Sequence, residues 1–354
     1  METFELIKKC GLEQLIFFHE KSLDLKAVVV IQNTVLGPAV GGVRVMEYPD
    51  EQSMLDDAMD LASEMTLRAA LADCDLGGGS AVLWSDGKKK GEAYFRAFGR
   101  FINRLAGGFL AVMEMGTDNS DLNNIKRETD FIYALPVPYG GIADPTEITA
   151  EGLMHGIKAT AKAVFGNSNL ENMTCLVQGV GRLGGCLVNL LSQAKAKIII
   201  TDKNYDKIKN IQDKYPDIKM AQPNEAIYQK CDIAIPCAFG NFVTQNTVEN
   251  IKCRIIAGGA SNIIPDVETG DLLHKKGIIY TPHFVIDSGE LIQADYELKK
   301  RSVELLKAAV AEIYGRTLAI LETAKEQKEA PIRTALRMGS ERLTNIGNIG
   351  RRSV

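Results

Sequence analysis

Residues 179–184 read Gly179-Val180-Gly181-Arg182-Leu183-Gly184, and their surroundings constrain the fold more than any other stretch of the chain. The apolar run TCLVQ (174–178) precedes them, a helical pattern follows to about residue 194, and KIIIT (197–201) leads into Asp202, 18 residues after Gly184. Strand, glycines, helix, strand and terminal acid in that order predict a βαβ unit that binds a dinucleotide. Gly179 makes the tight turn, Gly181 leaves room for a pyrophosphate, and Gly184 lets helix and strand pack closely. The first helical turn, with Arg182 and Leu183, offers unpaired N–H groups and positive partial charge to the diphosphate. Asp202 would accept a hydrogen bond from the adenine ribose 2′-hydroxyl and repel a 2′-phosphate, which favours NAD over NADP; Lys203 beside it weakens that preference. The bland alternative is that the glycines serve strand-to-helix geometry alone.

The pattern continues along the second half. DIAIP (232–236), RIIA (254–257) and GIIYT (277–281) are short, almost wholly apolar runs at helical separations, and a helix is expected at about 150–164. Such runs predict a parallel sheet covered on both faces. The first half is mixed α/β. AVVVIQ (27–32) reads as a strand, and residues 51–69 set Met54, Ala58, Leu61, Ala62 and Met65 at three- and four-residue steps, the stripe of an amphipathic helix that delivers Arg68 near its end. DCDLGGGS (73–80) reads as a turn-rich segment whose glycines can take positive φ or admit another backbone or a ligand closely. Two further helical stretches cover 293–325 and the APIRTALRMGSERL segment, and 354 residues suggest two domains.

Composition removes several function classes. With 45% hydrophobic and 24% charged residues the chain is an ordered globular protein. Forty-one Lys+Arg against 45 Asp+Glu, spread without a basic block, leave no electrostatic footprint for nucleic acid. No apolar run reaches the length of a secretory core or a membrane span, so a cytoplasmic protein with no membrane partner is expected. Seven scattered cysteines and four distant histidines form none of the usual ligand spacings; reduced thiols and no metal are expected.

With these pieces in order, the chain resembles the leucine, phenylalanine and valine dehydrogenases, the amino-acid dehydrogenases related to glutamate dehydrogenase. The resemblance runs over essentially the whole chain: LGPAVGGVRV, EMTLRAA, DCDLGGGSAV, MEMGTDNSDL, ADPTEITAEG, QGVGRLGG, CDIAIPCAFG, IIAGGASNII and YTPHFVIDSGELI. It implies a substrate and oligomerisation domain of residues 1–146 completed by 326–354, a Rossmann domain of residues 147–325, a cleft between them, and a homo-oligomer. It also implies oxidative deamination of an L-amino acid to a 2-oxo acid and ammonia, with hydride transfer to NAD. The family uses one lysine for the substrate carboxylate, a second to activate water or polarise the carbonyl, and an aspartate for proton transfer at nitrogen. Here those three positions hold Arg68, Ser80 and Glu114.

These replacements differ in physical weight. Arg68 keeps a cation able to bind a carboxylate through two parallel bonds, and Glu114 keeps a proton-transfer group on a longer stem. Ser80 is the serious change, because a hydroxyl supplies no positive charge to a developing oxyanion and no base near neutral pH. The resemblance further places Gly41 and Gly42 near the substrate carboxylate, although a bulge would also explain the glycines. Val40, Met65 and Leu291 fall in the side-chain pocket, and Thr149 falls beside the substrate unless it simply caps the next helix. Asp287 stands where relatives have an asparagine and Glu290 where they have a glycine, two carboxylates that would suit a cationic or amine-bearing ligand if they point inward. Asn262 matches a residue on the nicotinamide side, and Ala238 with Phe239 the turn over the dinucleotide. Lys88, Lys89 and Lys90 read as a solvated charge run.

Three functions remain open: an NAD-dependent oxidoreductase acting on the C–N bond of an amino or imino acid, reducing a preformed imine rather than deaminating; a catalytically silent homologue that binds NAD or a metabolite; and an ordinary L-amino-acid dehydrogenase that recruits a different lysine.

Overall fold

The computed structural model describes residues 3–87, 90–240 and 242–350. The chain divides into two compact α/β units, the first built from Met1–Pro145, Leu291–Val303 and Gly339–Val354 and the second from Thr146–Glu290 and Glu304–Met338.

The first unit opens with α1 (Thr3–Cys10), β1 (Gln14–Glu20), β2 (Leu25–Asn33), β3 (Ala39–Met46) and α2 (Glu51–Leu71), followed by β4 (Gly77–Trp84), α3 (Glu92–Arg104), β5 (Phe109–Met113) and α4 (Asn119–Lys126). Its sheet runs β1-β2-β4-β3-β5, with β1, β2 and β4 antiparallel in turn and β4, β3 and β5 parallel. Both faces of the central strands β2 and β4 are covered, and their residues are largely apolar on both. Val28, Val30 and Val82 meet Met54, Ala58 and Ala62 of α2, while Ala27, Val29, Ala81 and Leu83 belong to the opposite core with Phe95, Phe98 and Phe109. Each valine, leucine, methionine and phenylalanine among them contributes roughly 1.5–3 kcal/mol when fully buried. Helix α2 starts where Asp50 accepts the N–H of Ser53 at 2.8 Å.

The turn expected at 73–80 is partly strand. Gly77, Gly78 and Gly79 lie in β4, and none has positive φ. They are glycines because of crowding: a Cβ on Gly78 would lie 2.0 Å from the Thr66 hydroxyl oxygen of α2, and one on Gly77 2.0 Å from the carbonyl oxygen of Asn33. Close approach, one of the two reasons read from the sequence, is the one that operates.

The second unit contains α5 (Pro145–Phe165), β6 (Thr174–Gln178), α6 (Arg182–Gln193), β7 (Lys197–Thr201), α7 (Tyr205–Lys214), β8 (Lys219–Met220), β9 (Ile233–Pro236), β10 (Ile255–Ile256), α8 (Val267–Lys275), β11 (Ile279–Tyr280) and α9 (His283–Ile286). Helices α10 (Gly289–Leu298), α11 (Val303–Ala311), α12 (Ile313–Gln327) and α13 (Pro331–Gly350) complete the chain. Its six-stranded sheet, β11-β10-β9-β6-β7-β8, is parallel throughout. Strand order reverses between β6 and β9, which makes the end of β6 a topological switch point, the place where doubly wound sheets bind ligands.

The division differs from the expected return at residue 326. Helix α12 and the first turns of α13 stay with the second unit, where Ile332 packs on Gly270 and Arg333 binds Asp271 at 2.6 Å. The crossing falls within α13: beyond Gly339, which faces Leu67, Arg342 donates to the carbonyl of Ala70 at 2.6 Å and pairs with Asp73 at 2.8 Å. Residues 291–303 also join the first unit, where the Glu297 carboxylate accepts the N–H groups of Ala134 at 2.7 Å and Ile142 at 3.1 Å. Among the described residues no helix is long and apolar enough to cross a membrane, and no group of acids, histidines and cysteines is arranged to hold a metal.

Candidate active site

In the second unit the three fingerprint glycines meet three different demands. Gly179 turns with φ +89°, and a Cβ there would lie 2.6 Å from that of Ala238. Gly184 needs hydrogen because its Cβ would stand 1.9 Å from the carbonyl oxygen of Gly179. Gly181, the N-cap of α6, has no steric reason inside the protein: a Cβ there would meet nothing within 4 Å. Open space at a helix N-terminus, beside Arg182 and Leu183, is what a pyrophosphate requires, so these residues fit a dinucleotide.

Asp202 follows β7 and braces the glycine turn. One carboxylate oxygen accepts the N–H of Val180 at 2.9 Å and the other that of Asn204 at 2.8 Å. Asn262 accepts the N–H of Gly240 at 3.1 Å, which ties it to the loop after Ala238 and Phe239. Gly259 brings Leu183 and Asp287 close: a Cβ on it would lie 2.7 Å from a Leu183 methyl and 3.4 Å from an Asp287 oxygen. Desolvation pushes the nearby Cys237 thiol up to about 12, with Asp287 adding to the shift, so this sulfur is a poor nucleophile. Thr149 does not cap α5, which begins at Pro145; its hydroxyl accepts the N–H of Glu290 at 3.1 Å and so caps the first turn of α10 instead.

In the first unit, Val40 on β3, Met65 on α2 and Leu291 on α10 are buried core residues, at most 6% exposed. Ser80 is fully buried, and its hydroxyl donates to the carbonyl of Ala58 in α2 at 2.6 Å. Even-numbered residues of β4 face α2, so the side chain points into the strand–helix seam. Arg68 pairs with Glu64 one helical turn earlier. Gly41 and Gly42 are glycines for separate reasons: a Cβ on Gly41 would strike the backbone of Gly79 at 2.2 Å, and one on Gly42 would strike the Glu114 side chain at 2.4 Å.

Glu114, just past β5, therefore lies back over Gly42, where one oxygen accepts from Arg44 at 2.5 Å and the other from the N–H of Met115 at 2.5 Å. Arg44, 4% exposed, also binds Asp57 at 2.5 Å, and the Tyr48 hydroxyl donates to the same Asp57. The sequence reading missed Arg44, Tyr48, Asp57 and Glu64. A signal for Arg44 was present, a lone cation in the otherwise apolar strand AVGGVRVM. Of the three consecutive lysines, Lys90 bonds Asp86 at 2.8 Å and lies 5.1 Å over the Tyr94 ring, while Lys88 and Lys89 fall outside the described residues.

Comparison with known proteins matches residues 17–131 to the model "Glu/Leu/Phe/Val dehydrogenase, dimerisation domain" and residues 198–347 to the model "Glutamate/Leucine/Phenylalanine/Valine dehydrogenase". The leucine dehydrogenase of Bacillus cereus is 36% identical over 349 residues, covering 98% of this chain and 95% of the relative. The phenylalanine dehydrogenase of Bacillus thermotolerans is 38% identical over 332 residues, covering 92% and 86%. Among solved structures, L-tryptophan dehydrogenase from Nostoc punctiforme superposes with a TM-score of 0.80 at 32% identity, covering 98% of this chain and 99% of that one.

Proposed function

Because the chain belongs to the glutamate, leucine, phenylalanine and valine dehydrogenase family, we propose that it is an NAD-dependent oxidoreductase that reduces a preformed imino acid in preference to deaminating an amino acid. The observation that carries the reading is Ser80, a fully buried hydroxyl engaged with the Ala58 carbonyl at 2.6 Å. A group so placed neither stabilises an oxyanion nor accepts a proton from water, and losing an electrostatic group of that kind costs on the order of a hundred- to a thousandfold in rate. Reducing a C=N bond requires neither of these. Hydride adds to the imine carbon, a proton adds to nitrogen, and imine, NADH and one proton become amine and NAD. The dinucleotide, when bound, supplies the hydride. Arg68 binds the substrate carboxylate, and Glu114 handles the proton at nitrogen. Asp202 at the end of β7 supports NAD over NADP. The match of residues 17–131 to a dimerisation-domain model supports a homo-oligomer.

A second reading, a silent homologue that binds dinucleotide without turnover, draws on the internal pairing of the candidate groups: Arg68 with Glu64, Glu114 with Arg44, Ser80 with Ala58. One experiment separates them. NADH affinity is measured by titration, and NADH oxidation is then followed with cyclic and open-chain imino acids and with 2-oxo acids plus ammonia. Turnover confined to imino acids is the expected result. Binding without turnover favours the silent homologue, and deamination of leucine, valine or phenylalanine at rates ordinary for a dehydrogenase overturns the imine reading.

A further inference from the structure

We infer that Arg44 is a positioning residue, which holds the Glu114 carboxylate in the orientation from which it serves the substrate nitrogen and is itself fixed by Asp57 and Tyr48. The inference deepens the reading of Glu114 given above and rests on it.

A cation stands here where a strand needs none. Arg44 occupies β3 at 4% exposure, and a buried guanidinium is no better for stability than a well-packed apolar side chain. Its Nε–H has no hydrogen-bond partner among the described residues, a cost an aliphatic side chain would avoid. Stability therefore does not account for the residue, whereas its contacts account for Glu114. A glutamate has one more rotatable bond than an aspartate, and a proton-transfer group is useful only where its oxygens are held. Here the main chain, the stem and both carboxylate oxygens of Glu114 are all engaged. The backbone N–H of Glu114 donates to the Thr117 hydroxyl at 3.2 Å, that hydroxyl faces the carbonyls of Glu114 at 2.7 Å and Val43 at 3.1 Å, and the next residue, Met115, accepts the N–H of Val45 in β3 at 2.9 Å. The stem folds over Gly42, where any Cβ would displace it. One carboxylate oxygen takes the Arg44 Nη2 and the other the Met115 N–H.

Behind Arg44 the chain of contacts continues to Asp57, which accepts from both Arg44 and the Tyr48 hydroxyl. Burial works against the charge on Arg44, but Glu114 and Asp57 outweigh it, and the guanidinium titrates above its ordinary range. Burial and the bond to Asp57 push the Tyr48 phenol far above its usual value, so it remains a donor. The charged and titratable groups around Arg44 are thus Glu114 from the end of β5, Asp57 from α2 and Tyr48 from the segment after β3. Tyr48 aligns Asp57, Asp57 and Glu114 share the arginine, and the planar fork fixes their geometry.

The test uses the full-length protein and the variants Arg44→Met, Arg44→Lys, Tyr48→Phe and Glu114→Gln. Labelling every glutamate with carbon-13 at Cδ gives a carboxylate resonance for Glu114, identified by its loss in Glu114→Gln, and steady-state kinetics with an imino acid give kcat and KM. Arg44→Met should lower kcat by about thirtyfold or more with KM changed less than about threefold, because misplacing a reacting group by an ångström costs on the order of a hundredfold. Its Glu114 resonance should shift and broaden. Arg44→Lys, a single-point donor, should recover only part of kcat, and Tyr48→Phe should lower it by about two- to fivefold. A folded Arg44→Met with an unmoved Glu114 resonance overturns the inference. So does a resonance that moves while kcat stays within threefold of a wild type that turns over. If Arg44→Met fails to fold, an unmoved resonance and an unchanged kcat in both Arg44→Lys and Tyr48→Phe overturn it equally. Absence of wild-type turnover with every substrate would count against the functional reading alone, since the resonance still reports whether Arg44 holds Glu114.

Discussion

Gly181 and Gly184, neighbours in the same fingerprint, should separate binding from folding when each is changed to alanine. A Cβ on Gly184 would stand 1.9 Å from a main-chain oxygen, which no rotamer relieves. Overpacking of that kind costs at least the upper part of a range of about 1–3 kcal/mol, and the better helix propensity of alanine returns about 1 kcal/mol. A net loss of about 2 kcal/mol or more lowers Tm by roughly 4–8 °C in a unit of this size. Gly181 has φ −70° and open space around it, so alanine there loses only N-cap preference, on the order of 0.5–1 kcal/mol, offset by a similar gain of about 0.4–1 kcal/mol from a less flexible unfolded chain. Its melting point should stay within about 3 °C of wild type. The methyl group does, however, enter the space assigned to the diphosphate, and NADH affinity should fall by at least about thirtyfold, or about 2 kcal/mol. Thermal melts and NADH fluorescence titration of both variants decide the matter. If Gly181→Ala binds NADH as wild type does, the assignment of that space to a diphosphate is wrong.

Ser80→Ala should leave kcat within about threefold of wild type and cost about 1 kcal/mol in a denaturant melt, the value of one hydrogen bond; a hundredfold fall in kcat would give the hydroxyl a chemical role. Arg68→Met should raise KM for a carboxylate-bearing substrate by about tenfold or more, with NADH affinity unchanged, because the cation assigned to the substrate carboxylate is lost while the glycine turn is untouched. Hydrogen bonds from Arg333 hold Asp271 below its ordinary value of 3.8. With the folded value depressed, the stabilisation is fully present above 3.8 and is lost as pH falls through the lower, folded value. Asp271→Asn should therefore flatten the acid limb of a plot of Tm against pH, and an unchanged limb would show that the pair contributes nothing.

What could be read from the sequence follows from how local each signal is. β6 and β7 have the bounds that their uninterrupted apolar runs predict, since a strand buried on both faces is marked by its own residues. The runs at 254–257 and 277–281 shorten to the two-residue strands Ile255–Ile256 and Ile279–Tyr280. Glycine is ambiguous: at Gly77 and Gly78 it signals crowding by Asn33 and Thr66, which lie on other elements and are invisible in a local reading. The unit boundary within α13 is hidden for the same reason, as a helix carries no mark of which neighbour its faces meet. Of the candidate site, the identities of Arg68, Ser80 and Glu114 are legible by resemblance. The partners that engage them, Glu64, Ala58 and Arg44, emerge only from packing.

Asp202 has a consequence for anyone wishing to retune the coenzyme. The same carboxylate that we assign to the ribose also anchors the Val180 amide, so selectivity and the shape of the phosphate loop are one feature rather than two. Exchanging it for a small neutral residue to admit a phosphorylated ribose would leave that amide untethered, and a successful redesign must furnish a new acceptor for it in the same step.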